Sequence, residues 1–275
     1  MIDKHLFSIT FACHNGLHIT KKCIQSLKES KTPFDRIVVV DNASKDGTVS
    51  YFKKVPKINL IENKDNLWCG VAWNQGILFY QSEWTVIMNN DILVSDHWIE
   101  KLINIAKKNH MQILAPSLVE GSLDYDFNKF SKMASEKMKD VLRIQKPHLI
   151  CAVIHKSVFE KIGYFRATPK LRGYEDQIFF NLAQDAGIRM GITGAVWIHH
   201  FYQITQRIFI KEQKLPERAN IGIRDNFKQL NQSWLKRKLR KINHARLIKR
   251  YKDEELGRYQ MTIHAHRLNG DFMWK

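Results

Sequence analysis

The sequence predicts an α/β protein: an open, mostly parallel twisted sheet with helices on both faces, followed by a basic helical C-terminal segment. Three observations predict it. From Phe7 to about Pro116, apolar runs of strand length alternate with helix-length amphipathic stretches, and connections of that length return the chain to parallel pairing through right-handed crossovers. The runs are continuously apolar, as IVVV at 37–40 is, which marks strands covered on both faces. Polar residues gather where the runs end, and in open α/β sheets ligands bind at the carboxyl ends of the strands.

Taken in order, LFSITFAC is the first strand. LHITKKCIQSLKES places Ile19, Cys23, Ile24 and Leu27 at the three-to-four spacing of an amphipathic helix. RIVVVDN is a second strand rich in β-branched residues, and SKDGTVSYFKKV a helix whose start is marked by Ser44 or Asp46. KINLIEN is a third strand, CGVAWNQGILFYQS a helix, and SEWTVIMNND a fourth strand. DHWIEKLINIAKKN is a helix with Asp96 near its start and basic residues near its end, which suits the macrodipole. QILAPSLV is a fifth strand. Residues 120–147 are polar, Lys-rich and weakly periodic, and a surface excursion or mobile lid is expected there. HLICAVIHKSVFEKIGYF follows as a strand, a short helix and a turn at Gly163, then EDQIFFNLAQDAGIR as a helix closed by Gly187. GAVWIHHF is a last strand ending in His199 and His200.

With 275 residues, 44% of them apolar, the chain can bury a full core as one large or two small domains. No apolar run approaches the roughly 20 residues that span a bilayer. The N-terminal MIDKHLFSITFACHN has an early acid and no long apolar region, so a signal peptide is not expected. A cytoplasmic location is, in the host cytoplasm if the protein is viral, with peripheral membrane contact as a variant. Cys13, Cys23, Cys69 and Cys151 are scattered without zinc-site spacing and are expected as reduced core thiols. The balance of 44 Lys and Arg against 27 Asp and Glu, a net +17, favours a polyanionic partner or an anionic membrane surface. Residues 201–275 hold 18 basic and 7 acidic residues, so +11 of that charge lies in the last quarter.

The strand ends carry His14 and Asn15, then Asp41 and Asn42, then Asn63, then Asn89 to Asp91. Asp91 has two readings, as the cap of the next helix or as a ligand for a cation with phosphates. Capping is the weaker of the two, because the next helix is expected five residues later, at Ser95 or Asp96. Neither G-x-x-x-x-G-K-S/T nor G-x-G-x-x-G occurs, so phosphate charge has to be met in another way. Mg²⁺ or Mn²⁺ held by one or two carboxylates is the usual alternative.

The ordered set VVVDNASKDGT (38–48), NLWCGVAWNQGI (66–77), MNND (88–91), CAVIHKSVFEKIGYF (151–165), GYEDQIFFNLAQDAG (173–187) and WIHH (197–200) resembles the family 2 glycosyltransferases of the GT-A fold, with the rhamnosyltransferase-like branch nearest. The resemblance implies a GT-A domain at 1–205, with a nucleotide-sugar-binding half at 1–118, an acceptor and catalytic half at 148–205, and a basic, mainly helical extension at 206–275. It implies that His14, Asn15, Asp41 and Asp46 hold base and ribose of a UDP-sugar, and that Asn66, Gly70 and Asn74 line the donor site. It also implies that Asp91 binds Mn²⁺ or Mg²⁺ with Asn90 near the sugar. Asn89 stands where the family often has a carboxylate. The resemblance assigns a second metal ligand at the end of WIHH, His200 first and His199 next. It makes Asp176 the base that deprotonates an acceptor hydroxyl, with Glu175 orienting hydroxyls, and the outcome inversion at the anomeric carbon. No Q-x-x-R-W follows, which argues for transfer of one sugar per encounter.

WLKRKLRKINHARLIKRYK (234–252) holds nine Lys or Arg and no acid. Leu235, Leu239, Ile242, Ala245 and Ile248 form a helical stripe, which fits a face docked on the domain or an anionic membrane surface bearing lipid-linked or cell-surface glycan acceptors. Lys236, Arg237, Lys238, Arg240 and Lys241, with Trp234, Tyr251 and Tyr259 among the cations, fit DNA as well. A hydroxymethylated pyrimidine of phage-type DNA is the leading acceptor expectation, reached by flipping the base. A non-catalytic nucleic-acid-binding protein is a further alternative; it would explain the charge but not the ordered acids.

Overall fold

The computed structural model describes residues 6–166, 175–201 and 234–275, without the side chains of 234–237. Strands β1 (Phe7–Cys13), β2 (Ile37–Asn42), β3 (Asn59–Asn63) and β4 (Trp84–Met88) pair in parallel in the order 3-2-1-4. The crossover helices α1 (Leu17–Glu29), α2 (Thr48–Phe52) and α3 (Trp68–Tyr80) join them, as the alternating pattern predicts. Both faces are covered, by a core holding Cys23, Leu27 and Trp98 and by another holding Ile77, Phe179 and Trp197. Helix α3 lies so close to β1 that a Cβ at Gly76 would meet Thr10 Oγ1 at 1.7 Å. Cys13, Cys23 and Cys151 are buried thiols, whereas Cys69 is exposed.

Beyond β4 the sheet becomes mixed. β8 (Cys151–His155) inserts antiparallel between β4 and β6 (Ile113–Gly121). β6 then changes partner along its length. Its first residues pair with β8, its last four with β10 (His264–Leu268), and its other edge runs parallel to β9 (Met190–His200). The register with β9 shifts at Pro116 and Ser117, where a residue without an N–H is tolerated. A short strand β5 (Ile92–Val94) follows β4 and pairs antiparallel with the end of β9. Helix α4 (Trp98–Lys108) starts after it, two residues later than the sequence predicts.

The expected lid at 120–147 is instead a packed element. α5 (Phe127–Lys137) is capped by Asp126, whose side chain accepts from the Lys129 N–H, and it buries Phe127, Phe130, Ser131 and Ala134. The Phe130 ring meets Trp197 of β9 edge-on at 5.4 Å. Apolar residues at helical spacing were present in the sequence, diluted by the surrounding lysines. β7 (Leu142–Ile144) then pairs with β9.

α6 (Lys156–Ile162) and α7 (Glu175–Asp185) complete the core, and α8 (Trp234–Tyr259) runs along the domain. α8 is anchored by polar contacts rather than by its apolar stripe. Arg143 of β7 donates to both carboxylate oxygens of Glu255 at 2.6 and 2.7 Å, and Arg240 pairs with Asp185 of α7. Leu239 and Ile242 face outward, 58% and 39% exposed, which corrects the docked-face reading of the stripe. The extension is also not purely helical. β10 and β11 (Asp271–Trp274) form a hairpin turned by Asn269 and Gly270, both at positive φ, the conformation that Asn-Gly supplies cheaply. The expected boundary at 205 and 206 lies outside the described residues.

Candidate active site

The first two strand ends are laced together by polar contacts. Asn15, at φ 55°, donates its N–H to Ser44 Oγ at 2.8 Å and accepts from the Lys45 N–H at 2.7 Å. Asp46 accepts from the Leu17 N–H at 2.8 Å, capping α1, whose own cap residue is Gly16. Its other oxygen accepts from Thr48. Partial burial opposes ionisation of Asp46, but the Thr48 and Leu17 donors outweigh it and hold the carboxyl below its ordinary value. Asn15 and Asp46 therefore shape the loop. His14 Nδ1 lies 2.7 Å from the Asn42 carbonyl oxygen. Asp41 accepts from the Ser44 N–H at 2.8 Å through Oδ1, while Oδ2 is buried without a hydrogen-bond partner among the described residues.

The third segment divides the predicted donor residues. Asn66 accepts from the Trp68 N–H at 3.0 Å and opens α3. Gly70 meets Glu175: a Cβ there would lie 3.1 Å from Glu175 Cγ, so the glycine lets the start of α7 rest against α3. Asn74 is turned to the chain that leads to α7. Its amide grips the Phe165 backbone in both directions, at 2.7 and 3.0 Å, and so fixes the chain leading to α7. Asn90 is buried and donates to Thr20 Oγ1 of α1 at 2.9 Å.

Asp91 is not a helix cap, because β5 intervenes and His97 stands at the start of α4 without a side-chain cap bond. The pairing of Ile92 with His200 instead brings Asp91 Oδ1 to 3.3 Å from His200 Nε2. Both side chains are buried, and Asp91 Oδ1 has no hydrogen-bond partner among the described residues. Two neighbouring ligands, each roughly 2.1 Å from an octahedral ion, stand about 3 Å apart. The oxygen and nitrogen thus fit a divalent cation that keeps its other positions for phosphate and water. Among the described residues no group of three His, Cys, Asp or Glu forms a metal site, in keeping with Asn89 standing where the resemblance leads one to expect a carboxylate. His199 faces away from this pair, since successive strand residues point to opposite faces. Its Nδ1 meets the Tyr125 hydroxyl at 2.9 Å, and the rings of Tyr125, Phe127 and Phe201 enclose it. Burial pushes its pKa down to about 4. For His200, burial acts in the same direction, but Asp91 and Glu120 outweigh it and raise the pKa to about 9.

Glu175 and Asp176 form the first turn of α7, where the helix dipole favours acids. Glu175 is buried and Asp176 half-buried. Burial raises the Asp176 carboxyl above its ordinary value, against the opposing bond it accepts from the Gln177 N–H at 2.6 Å.

A family model described as glycosyl transferase family 2 matches residues 8–166, more than half of the chain. The chain belongs to glycosyl transferase family 2. The match is to the family as a whole and ends before α7 and β9. Among solved structures, the crystal structure of GalNAc-T7 with UDP, GalNAc and Mn²⁺ is 15% identical with a TM-score of 0.53, covering 71% of this chain and 43% of that one. Mannosyltransferase PcManGT from Pyrobaculum calidifontis, in complex with GDP-Man and Mn²⁺, is 17% identical with a TM-score of 0.55, covering 75% of this chain and 60% of that one. The chain thus spans less than two thirds of either protein. At such identities the likeness is one of fold, and the fold is GT-A. No curated protein matches by sequence.

Within this family 2 chain, sequence reasoning missed Glu120, Thr20, Tyr125, His264 and Lys275. Glu120 carried a usable signal, as a carboxylate ending an apolar strand just as Asp41 and Asp91 do, yet it fell at the edge of the supposed lid. Burial opposes its charge, but His200, His264 and Lys275 outweigh burial and hold it well below the carboxylate range. On α8, Lys238 and Lys241 are exposed, whereas Arg240 is engaged by Asp185 and leaves the open basic set. The side chains of Lys236, Arg237 and Trp234 lie outside those described.

Proposed function

We propose that this chain is an inverting glycosyltransferase that moves one sugar from a UDP-sugar to a hydroxyl acceptor. The observation that carries the reading is the buried Asp91–His200 pair where β5 meets β9, together with Glu175 packed on Gly70 of α3 and Asp176 beside it in the first turn of α7. Asp176, its carboxyl raised by burial, takes the acceptor proton as the anomeric carbon is attacked from the face opposite the leaving diphosphate. Glu175, buried against Gly70, orients donor or acceptor hydroxyls. Asp91 and His200 would hold Mn²⁺ or Mg²⁺, which when bound neutralises charge developing on the leaving phosphate. UDP is taken as the nucleotide from the family resemblance, with the Asp41 carboxylate offered to the base.

Net charge alone would favour DNA carrying hydroxymethylpyrimidines as acceptor. The outward face of α8 supports the other reading, a lipid-linked saccharide at an anionic membrane. Exposed Leu239 and Ile242 sit among Lys238, Lys241, Arg246 and Lys249, a combination that inserts apolar groups beneath a layer of charge. The test incubates the full chain and Mn²⁺ with UDP- and GDP-sugars, offering either lipid-linked saccharides in anionic vesicles or hydroxymethylated duplex DNA, and follows nucleotide release. Release stimulated by the vesicles is expected. Release with DNA alone would overturn the membrane acceptor. No turnover of any nucleotide sugar would overturn the transferase reading and leave a nucleic-acid-binding role.

A further inference from the structure

Glu120 is the hub of a charged cluster behind the metal-type pair. It sits at the end of β6, nearly buried, and faces cationic or protonatable groups from three places: His200 Nδ1 at 3.6 Å, His264 Nε2 at 2.8 Å and Lys275 Nζ at 2.9 Å. Glu120 and His200 are direct register partners across β6 and β9, while His200 is also the partner of Ile92 on the other edge. The imidazole is therefore held by backbone pairing on both sides, with Nε2 turned to Asp91 and Nδ1 turned to Glu120.

We propose that Glu120 is a positioning residue of the cation site. Its carboxylate stands 3.6 Å from His200 Nδ1, just beyond hydrogen-bond distance, and closes on the Nδ1–H when a cation beside Asp91 displaces the proton from Nε2. His264 and Lys275, on and beside the C-terminal hairpin, hold Glu120 in place for this task. The inference rests on the reading that Asp91 and His200 bind a divalent ion. Its physical basis is general: imidazole binds a metal through its unprotonated nitrogen, and a carboxylate on the other nitrogen fixes the ring and raises its basicity. The hairpin then belongs to the active site, although it follows β9 by more than sixty residues.

An ordinary anchor for the hairpin would use the same His264 and Lys275 contacts but would not alter affinity for the ion. Mn²⁺ binding to the full chain separates the two roles. It is measured by electron paramagnetic resonance of the free ion, with UDP and in parallel GDP. The proteins compared are the wild type, Glu120→Gln, His200→Ala and the double variant His264→Gln with Lys275→Ala, each also assayed for its metal-free thermal midpoint. Glu120→Gln and the double variant are expected to weaken Mn²⁺ binding about 10- to 100-fold, the usual effect of losing a partner of a ligating histidine. Binding by Glu120→Gln within twofold of wild type, while His200→Ala loses the ion, overturns the proposal and leaves the metal site standing. Wild-type affinity in His200→Ala, or no Mn²⁺ binding by the wild type with either nucleotide, overturns the metal-site reading itself. Should Glu120→Gln fail to fold, the double variant decides, because it removes the supports of Glu120 from partly exposed positions and leaves the carboxylate in place.

Discussion

Replacing Glu255 by Ala would strand a buried guanidinium. Arg143 and Glu255 are 3% and 6% exposed and joined by two hydrogen bonds, and the same carboxylate accepts from the Ile263 N–H at 2.9 Å just before β10. Breaking a buried pair from one side costs roughly 3–5 kcal/mol, and an orphaned buried N–H about 1–3 kcal/mol. The two costs overlap, since water entering the space of the lost side chain serves both groups, so a loss of about 4 kcal/mol is expected. An unfolding entropy near 2.1 cal/mol/K per residue over 275 residues is about 0.6 kcal/mol/K, which converts this loss to roughly 7 °C in Tm. Calorimetry and denaturant titration read the change, and hydrogen exchange should quicken at Ile263. The pair Arg143→Met with Glu255→Leu should recover part of this loss and settle about 1–3 kcal/mol below wild type, because no charge is left uncompensated but the Ile263 N–H still lacks its acceptor. A Glu255→Ala loss below about 1 kcal/mol, or a double variant as unstable as the single, would refute the assignment of this pair as the anchor of α8.

Asp176→Asn should lower kcat by about 10²- to 10⁴-fold, the range for loss of a general base, without lowering Tm. Because burial raises the wild-type carboxyl, kcat/KM should fall as pH drops through a value above the ordinary carboxylate range. A raised acid is stabilising only while protonated, so Asp176→Asn should be slightly more stable than wild type at neutral pH; an unchanged acid limb in the residual activity sinks the assignment. Gly70→Ala places a methyl 3.1 Å from Glu175 Cγ and should reduce transfer while leaving the fold intact. Gly76→Ala drives a methyl into Thr10 Oγ1 and should cost roughly 3 kcal/mol or more; equal thermal midpoints for the two would contradict the α3 packing. Leu239→Asp with Ile242→Asp should abolish binding to anionic vesicles in a sedimentation assay, whereas retained binding would refute the outward face of α8 as the membrane surface.

Much of the architecture was legible because it is written in local periodicity. The β-branched run at 37–40 and the spaced apolar residues of α1 identify their own elements, and the polar residues ending each strand announced a cleft. α5 was harder to see because its few buried residues, Phe127, Phe130 and Ala134, are scattered among lysines. Asn74 and Asn90 were expected in the donor site from the family resemblance, yet an amide serves a structural clamp as readily as a ligand. Only the position of Phe165 or Thr20 distinguishes the two uses.

By itself the sequence determined the order of strands and helices, the acids at the strand ends and the excess of positive charge, all properties of neighbouring residues. Tertiary structure alone decided that His200 and not His199 faces Asp91, that Glu120 stands behind it, and that the last strands return to β6. The physical reason is register. A strand shows both of its faces in the sequence, and only pairing with distant strands settles which face meets the cleft and which side chains become neighbours there.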